Sequence, residues 1–144
     1  MPFPDFLAYN QLVYSLPDRY PNIRHATLVL IPIGRTLAKL EGKLTFEGNV
    51  TLDVWELVDF DAGRILNYSY EIYRGGEKIA WYDPFAHPDI PELTSTLPHH
   101  KHIPPNINRH PVSATGISFQ EPNLPFLIIE RYDFRRISLV TFSE

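Results

Sequence analysis

The sequence predicts an α+β fold spanning residues 1–144 as a single domain. One N-terminal helix packs on a four- to five-stranded antiparallel meander, followed by a long ordered Pro/His-rich loop and a short C-terminal element. Three observations lead there. Of the 14 prolines, none lies between Ile33 and Asp83, whereas nine lie between Pro84 and Pro125. Proline is excluded from central strands and helix interiors, so the proline-free block is expected to be the regular core. Inside that block apolar residues recur with period two between short turn signals, and ahead of it one stretch has helical period instead.

Asp5 to Leu16 reads as the helix. Asp5 is placed to cap it, Phe6, Tyr9, Leu12, Val13 and Leu16 form its apolar stripe, and Pro17 is expected to stop it. Thr27 to Ile33 is a nearly continuous apolar run, which predicts a buried strand. From Thr36 to Phe46, Ala38, Leu40, Leu44 and Phe46 fall on one face, and Lys39, Glu41 and Lys43 on the other. Glu47-Gly48-Asn49 turns the chain into a strand with Val50, Leu52, Val54, Val58 and Phe60 on its inner face, and Asp61-Ala62-Gly63 turns it again. Leu66, Tyr68, Tyr70 and Ile72 share one face of the next strand, and Gly75-Gly76 makes a tight hairpin into Lys78 to Tyr82. Connections this short require antiparallel neighbours.

After Tyr82 the pattern breaks. Pro84 to Pro125 is a run of roughly forty residues rich in Pro, His, Asn and Ser, a length that in a compact domain signals function or disorder. Leu93, Leu97, Ile103, Ile107 and Phe119 are spaced as anchors along it, which favours an ordered wrap. Phe126 to Glu130 and Ile137 to Phe142 fit a final helix or two short strands equally well.

Composition narrows the function classes. Apolar residues make up 44% and charged residues 21%, as in soluble globular proteins. No apolar run approaches the ~20 residues that span a bilayer, so no membrane partner is expected. Met1-Pro2-Phe3-Pro4-Asp5 does not read as a signal peptide, and the expected location is cytoplasmic. The absence of cysteine excludes disulfides and thiolate zinc sites. A net charge of −4 gives no global attraction to nucleic acid. Yet no acidic residue lies between Glu92 and Glu121, while Lys101, Arg109, His99, His100, His102 and His110 do. That local positive patch suits a polyanion.

The titratable chemistry is concentrated in the same stretch. Five of the six histidines fall between His87 and His110, three of them in His99-His100-Lys101-His102. Imidazole holds, donates or accepts protons near neutrality, and loops on a rigid scaffold are where such groups are commonly placed. In extended chain His100 and His102 share one face and His99 and Lys101 the other, so one pair is expected to point into a site; His100 and His102 are the preferred pair. Glu56 shares parity with Val50, Leu52, Val54, Val58 and Phe60, so the pleat aims a carboxyl toward the apolar side. There it must pair, with Arg64 or Lys39 as structural partners, or have its pKa raised into the range of a general base or acid. Tyr68, Tyr70, Tyr73, Trp81 and Tyr82 lie on adjacent strands, mostly as packing, and Tyr82-Asp83 borders the histidine stretch. His25, at a strand start, reads as structural.

Tyr82-Asp83-Pro84-Phe85-Ala86-His87 followed by Pro98-His99-His100-Lys101-His102 resembles the TumE-like toxin family of prokaryotic type II toxin–antitoxin modules. That family is similar in a Tyr-Asp-x-x-x-His element and a Pro-His-His-Lys-His element. The strand Val54-Trp55-Glu56-Leu57-Val58-Asp59 and Tyr68-Ser69-Tyr70 also match, so the resemblance covers roughly Leu40 to Ile103. Asn123-Leu124-Pro125-Phe126 is similar to a subset of relatives. The resemblance implies a toxin that cleaves RNA, with ribosome-associated mRNA as the expected form, and is neutralised by a cognate antitoxin protein. A small RelE/barnase-like sheet-and-helix ribonuclease is the fold analogy.

Metal-independent RNA cleavage needs a base for the 2′-hydroxyl, an acid for the leaving 5′-oxygen and a cation near phosphorus, and no cofactor. Glu56, His87, His99, His100, Lys101 and His102 are the candidate catalytic residues, and Tyr82, Asp83 and Arg109 the candidate RNA contacts. Two other classes compete. His87, Asp83 and two of His99, His100 and His102 offer an imidazole–carboxylate set for a metal, though in no standard ligand spacing and with Lys101 among them. Alternatively, the histidines serve packing and pH-sensitive contacts in a non-catalytic binding or assembly module.

Overall fold

A computed structural model describes residues 3–84, 99–103, 112–113 and 116–129. Helix α1 (Phe6–Arg19) starts on Asp5, whose carboxylate accepts from the Ala8 amide at 2.8 Å, as the expected cap. It runs past Pro17, which the sequence reading made its stop. Proline forfeits its amide bond and crowds the carbonyl four residues back, yet near its end the helix still closes with Tyr20 N donating to Leu16 O at 2.9 Å. Tyr9, Val13 and Leu16 are buried against the sheet.

Among the described residues the sheet has eight strands, more than the four to five expected: β1 (Ile23–Ala26), β2 (Val29–Ile33), β3 (Leu37–Phe46), β4 (Val50–Asp59), β5 (Arg64–Arg74), β6 (Glu77–Asp83), β7 (His100–His102) and β8 (Val112–Ser113). All pairings are antiparallel, in the order β1-β3-β4-β5-β6-β7-β8, with β2 also paired to β3. The helix-on-sheet layout is as read. The additional strands come from the N-terminal edge and from the segment expected to wrap without regular structure.

Thr27–Ile33 is the clearest departure. It is an edge strand, with Val29 and Ile33 exposed and Leu28 and Leu30 buried. β1 and β2 lie end to end along one edge of β3 in a continuous register, Ala26 opposite Leu44 and Val29 opposite Glu41, with a break at Thr27 and Leu28 between them. Gly42 faces that break and permits the close approach of its backbone, because a Cβ there would lie 2.5 Å from the Thr27 carbonyl oxygen. Thr27 is fastened on the spot, its amide donating to Lys43 O at 2.9 Å and its hydroxyl accepting from Lys43 N at 3.0 Å.

The central strands follow the alternation. β4 is buried at every second residue from Val50 to Val58, with Glu56 in the series. In β5 the expected face shifts at its start. Ile65 is buried and Leu66 exposed, because the register slips between Leu57 and Val58 and leaves Leu66 as the extra residue of a bulge. Gly75 and Gly76, both at positive φ, form the two-residue hairpin into β6.

The two faces of the sheet differ in chemistry. One lies with α1 over a core of Leu40, Leu44, Leu52, Tyr68, Tyr70, Ile72 and Tyr82. The other carries charges along the strands, with Lys39–Glu41 at 3.4 Å, Lys43–Asp53 at 3.9 Å and Lys78–Glu71 at 2.8 Å. Residues 124–129 are helical, which resolves that part of the C-terminal ambiguity in favour of helix. Leu93, Leu97, Ile107 and Ile137 to Phe142 lie outside the described residues. No helix among the described residues is long and apolar enough to cross a membrane.

Candidate active site

The alternation of β4 carries the Glu56 carboxyl to the helix-covered face, where it is fully buried. Neither Arg64 nor Lys39, the structural partners considered from sequence, takes part. Three other elements supply its hydrogen bonds and their support. The Tyr9 hydroxyl of α1 donates to Oε1, and the Tyr70 hydroxyl of β5 donates to Oε2 at 2.5 Å. Asn123 Nδ2 donates to the Tyr70 hydroxyl at 3.0 Å and to Ser118 O at 2.9 Å, while its Oδ1 accepts from Ser118 N at 2.9 Å. Burial raises the Glu56 pKa above its usual range, and the hydroxyls of Tyr70 and Tyr9 pull it part of the way back. Burial, then the Glu56 charge, pushes both phenols well above their ordinary value, so they stay protonated and act as donors.

From this network a row of ring faces runs outward. Tyr70 stacks on Tyr68 at 4.9 Å between centroids, Tyr68 on His99 at 5.7 Å, and His99 meets Phe119 at 4.7 Å. The Tyr68 hydroxyl and His99 Nδ1 are 2.5 Å apart. Burial, and then the Asp83 charge, keeps the Tyr68 phenol protonated far above neutral pH. Which of the two groups donates depends on the tautomer of the His99 ring. His99 and Phe119 are each half-buried.

His102 sits on the opposite side of the sheet. In the ladder Trp81 faces His102, Tyr82 faces Lys101, and Asp83 faces His100. His102 stacks on Trp81 at 4.8 Å, and its Nε2 lies 2.8 Å from Asp83 Oδ2, with both members of the pair buried. Trp81 Nε1 donates to Ser69 Oγ at 3.2 Å, and Lys78 Nζ lies 4.8 Å from the centre of the Trp81 ring. Lys101 points the other way, its Nζ 5.5 Å from the ring centre of buried Tyr82.

The pleat thus divides the histidine cluster. His99 and Lys101 share the face of Glu56, Tyr68 and Tyr82, whereas His102 shares the other with Asp83 and Trp81. Of the preferred pair, His102 lies away from Glu56, and His100 is placed in the ladder opposite Asp83. His87 and Arg109 lie outside the described residues. Among those described, no group of three or more His, Cys, Asp or Glu is placed to hold a metal ion.

Sequence reasoning did not assign Tyr9, Asn123 or Phe119 a place in this site. Tyr9 stood out only as a helix-stripe residue, and its hydroxyl was the available signal. Tyr68 and Tyr70 were visible as a motif, but not as the bridge between Glu56 and His99. With this geometry in place, comparison gives one result: the family model described as Toxin TumE matches residues 16–133. No curated protein and no solved structure matches the chain.

Proposed function

The chain belongs to the toxin TumE family, and from that premise we propose that it is the toxin of a type II toxin–antitoxin pair, a metal-independent endoribonuclease acting in the cytoplasm on mRNA. The observation that carries this reading is His99. Its ring is held between Tyr68 and Phe119, its Nδ1 is hydrogen-bonded to the Tyr68 hydroxyl, and it shares a face with Lys101. General acid–base cleavage asks for an oriented imidazole beside a cation, in a place a polyanion can reach.

In this reading His99 takes one of the two proton-transfer roles, and a second imidazole of the segment, His87 or His100, takes the other. Lys101, with Arg109, offsets charge building at phosphorus. Glu56 acts as a positioning residue. With no exposed surface it does not touch RNA, but through Tyr70 it holds the ring row on which His99 rests. His102 and Asp83 position β7 from the other side, and Tyr82 supports Lys101. The antitoxin covers the histidine segment.

The test is incubation of purified protein with RNA in EDTA, alone and with translating ribosomes, comparing wild type with His99→Ala. Cleavage by wild type and its loss in the variant is the expected result. Wild type inert in both settings ends the nuclease reading. A second reading, a non-catalytic binding module, draws on the internal commitment of the His102 imidazole and the Glu56 carboxyl. It requires that a folded His99→Ala variant still arrest growth.

A further inference from the structure

Resting on the reading above, we propose that Arg64 is the phosphate-binding residue of the same site, and that Phe119 with His99 forms the edge along which single-stranded RNA lies. Arg64 opens β5 directly after a turn that Asp59 organises, its Oδ1 accepting from the amides of Asp61 at 2.9 Å and Ala62 at 3.0 Å. The Arg64 guanidinium carbon lies 5.0 Å from the centre of the Phe119 ring, and Nε donates to Ile65 O at 3.3 Å. Phe119 is fixed to the same strand, because Ile65 N donates to Phe119 O at 2.7 Å. His99 approaches that ring at 4.7 Å. One phenylalanine therefore sets the spacing between a guanidinium and an imidazole, and all three groups are partly exposed.

The terminal nitrogens of Arg64 form no hydrogen bond or ion pair among the described residues. Asp59, its partner in the ladder, turns its carboxylate Oδ1 to the turn amides and forms no ion pair with Arg64 among the described residues. A stacked guanidinium with its outer donors unspent matches phosphate in two-pronged fashion and offers a flat face to a base. Rows of aromatic faces beside cations are how single strands are held without regard to sequence. His99, Lys101 and Phe119 also lie inside the stretch between Glu92 and Glu121 that has no acidic residue, so a polyanion meets little repulsion. An acidic peptide shares the charge but makes no use of the flat rings, so RNA is the better fit.

The experiment titrates a short single-stranded RNA with 2′-O-methyl sugars against wild type, Arg64→Gln, Arg64→Lys and Phe119→Leu over a range of salt, with Arg24→Gln as a control for bulk charge. Cleavage kinetics on unmodified RNA run in parallel. Arg64→Gln should weaken binding several-fold and reduce the slope of log affinity against log salt by about 0.7, the value for one phosphate contact on a single strand. Arg64→Lys should keep the slope while losing affinity, since lysine keeps the charge but not the plate. In cleavage, KM should rise more than kcat falls, and Arg24→Gln should change nothing. If wild type cleaves RNA and Arg64→Gln binds it with unchanged affinity and slope, the role given to Arg64 is wrong and the nuclease reading stands. If wild type neither binds nor cleaves RNA, both fall. Tighter binding of a polyglutamate peptide than of RNA overturns the ligand class.

Discussion

Tyr70 lies diagonally across the β4–β5 ladder from Glu56, and its hydroxyl donates to the Glu56 carboxylate at 2.5 Å. With Tyr9 on the other oxygen and Asn123 behind Tyr70, one buried acid joins α1, the sheet and the 116–129 segment. Its full burial makes it a measurable liability as well as a junction.

That liability has a pH signature. The folded-state pKa of Glu56 is raised, chiefly by burial, so the fold favours its protonated form. The stability this gives is complete below the unfolded value, near 4.5, and is lost as pH rises through the folded value. Glu56→Gln removes the titration. The difference in unfolding free energy between wild type and Glu56→Gln should shift against wild type from acid toward neutrality, as read by urea denaturation at several pH values. A difference that does not vary with pH contradicts the assignment.

Tyr9→Phe takes away one of the two donors to a buried carboxylate and leaves a void too small to help. It should cost about 1–3 kcal/mol at neutral pH. In the Glu56→Leu background, where no acceptor remains, the same change should cost much less. A double-mutant cycle by chemical denaturation measures the coupling, and additive effects would show that the Tyr9–Glu56 bond contributes nothing.

Gly42 and Gly34 both sit at positive φ but in different surroundings. Alanine at Gly34 meets no atom within 4 Å and pays only for the left-handed backbone, about 1 kcal/mol. Alanine at Gly42 drives a methyl into the Thr27 carbonyl and the Leu28 backbone, so β1 and β2 must part from β3. Thermal melting should rank Gly42→Ala far below Gly34→Ala.

His99 and His102 should separate activity from stability. His99→Ala removes a half-buried ring and should cost about 1 kcal/mol of stability but lower cleavage by a factor on the order of 10²–10⁴. His102→Ala takes a hydrogen-bonding partner from a buried carboxylate and should destabilise by about 3 kcal/mol. Unfolding curves and RNA cleavage on the same preparations decide this, and equal stability losses would erase the distinction.

The core strands were legible because their period-two pattern is local: β4 shows its buried face residue by residue, Glu56 included. Thr27–Ile33 was misread because an apolar run carries no sign of an edge, and the break at Thr27 is fitted against Gly42, a residue distant in the chain. Leu66 was placed inward because a bulge resets alternation without any residue announcing it. Of the site, the parity split among His99, His100, Lys101 and His102 could be read from extended geometry. Which side held Glu56 could not, since that depends on how β7 docks on β6. The Tyr9, Asn123 and Phe119 contributions come from distant segments and leave no spacing to find.

β7 is only three residues long, yet it and the residue before it serve both sides of the sheet, His99 and Lys101 on one and His102 on the other. Loss or gain of one amino acid between Pro98 and His102 would transpose the sets, sending Lys101 toward Trp81 and a ring toward Tyr82. Length, more than identity, is then what heredity must guard in this stretch: an indel there damages more than any single replacement, even though the neighbouring proline-rich chain is where insertions would ordinarily be absorbed.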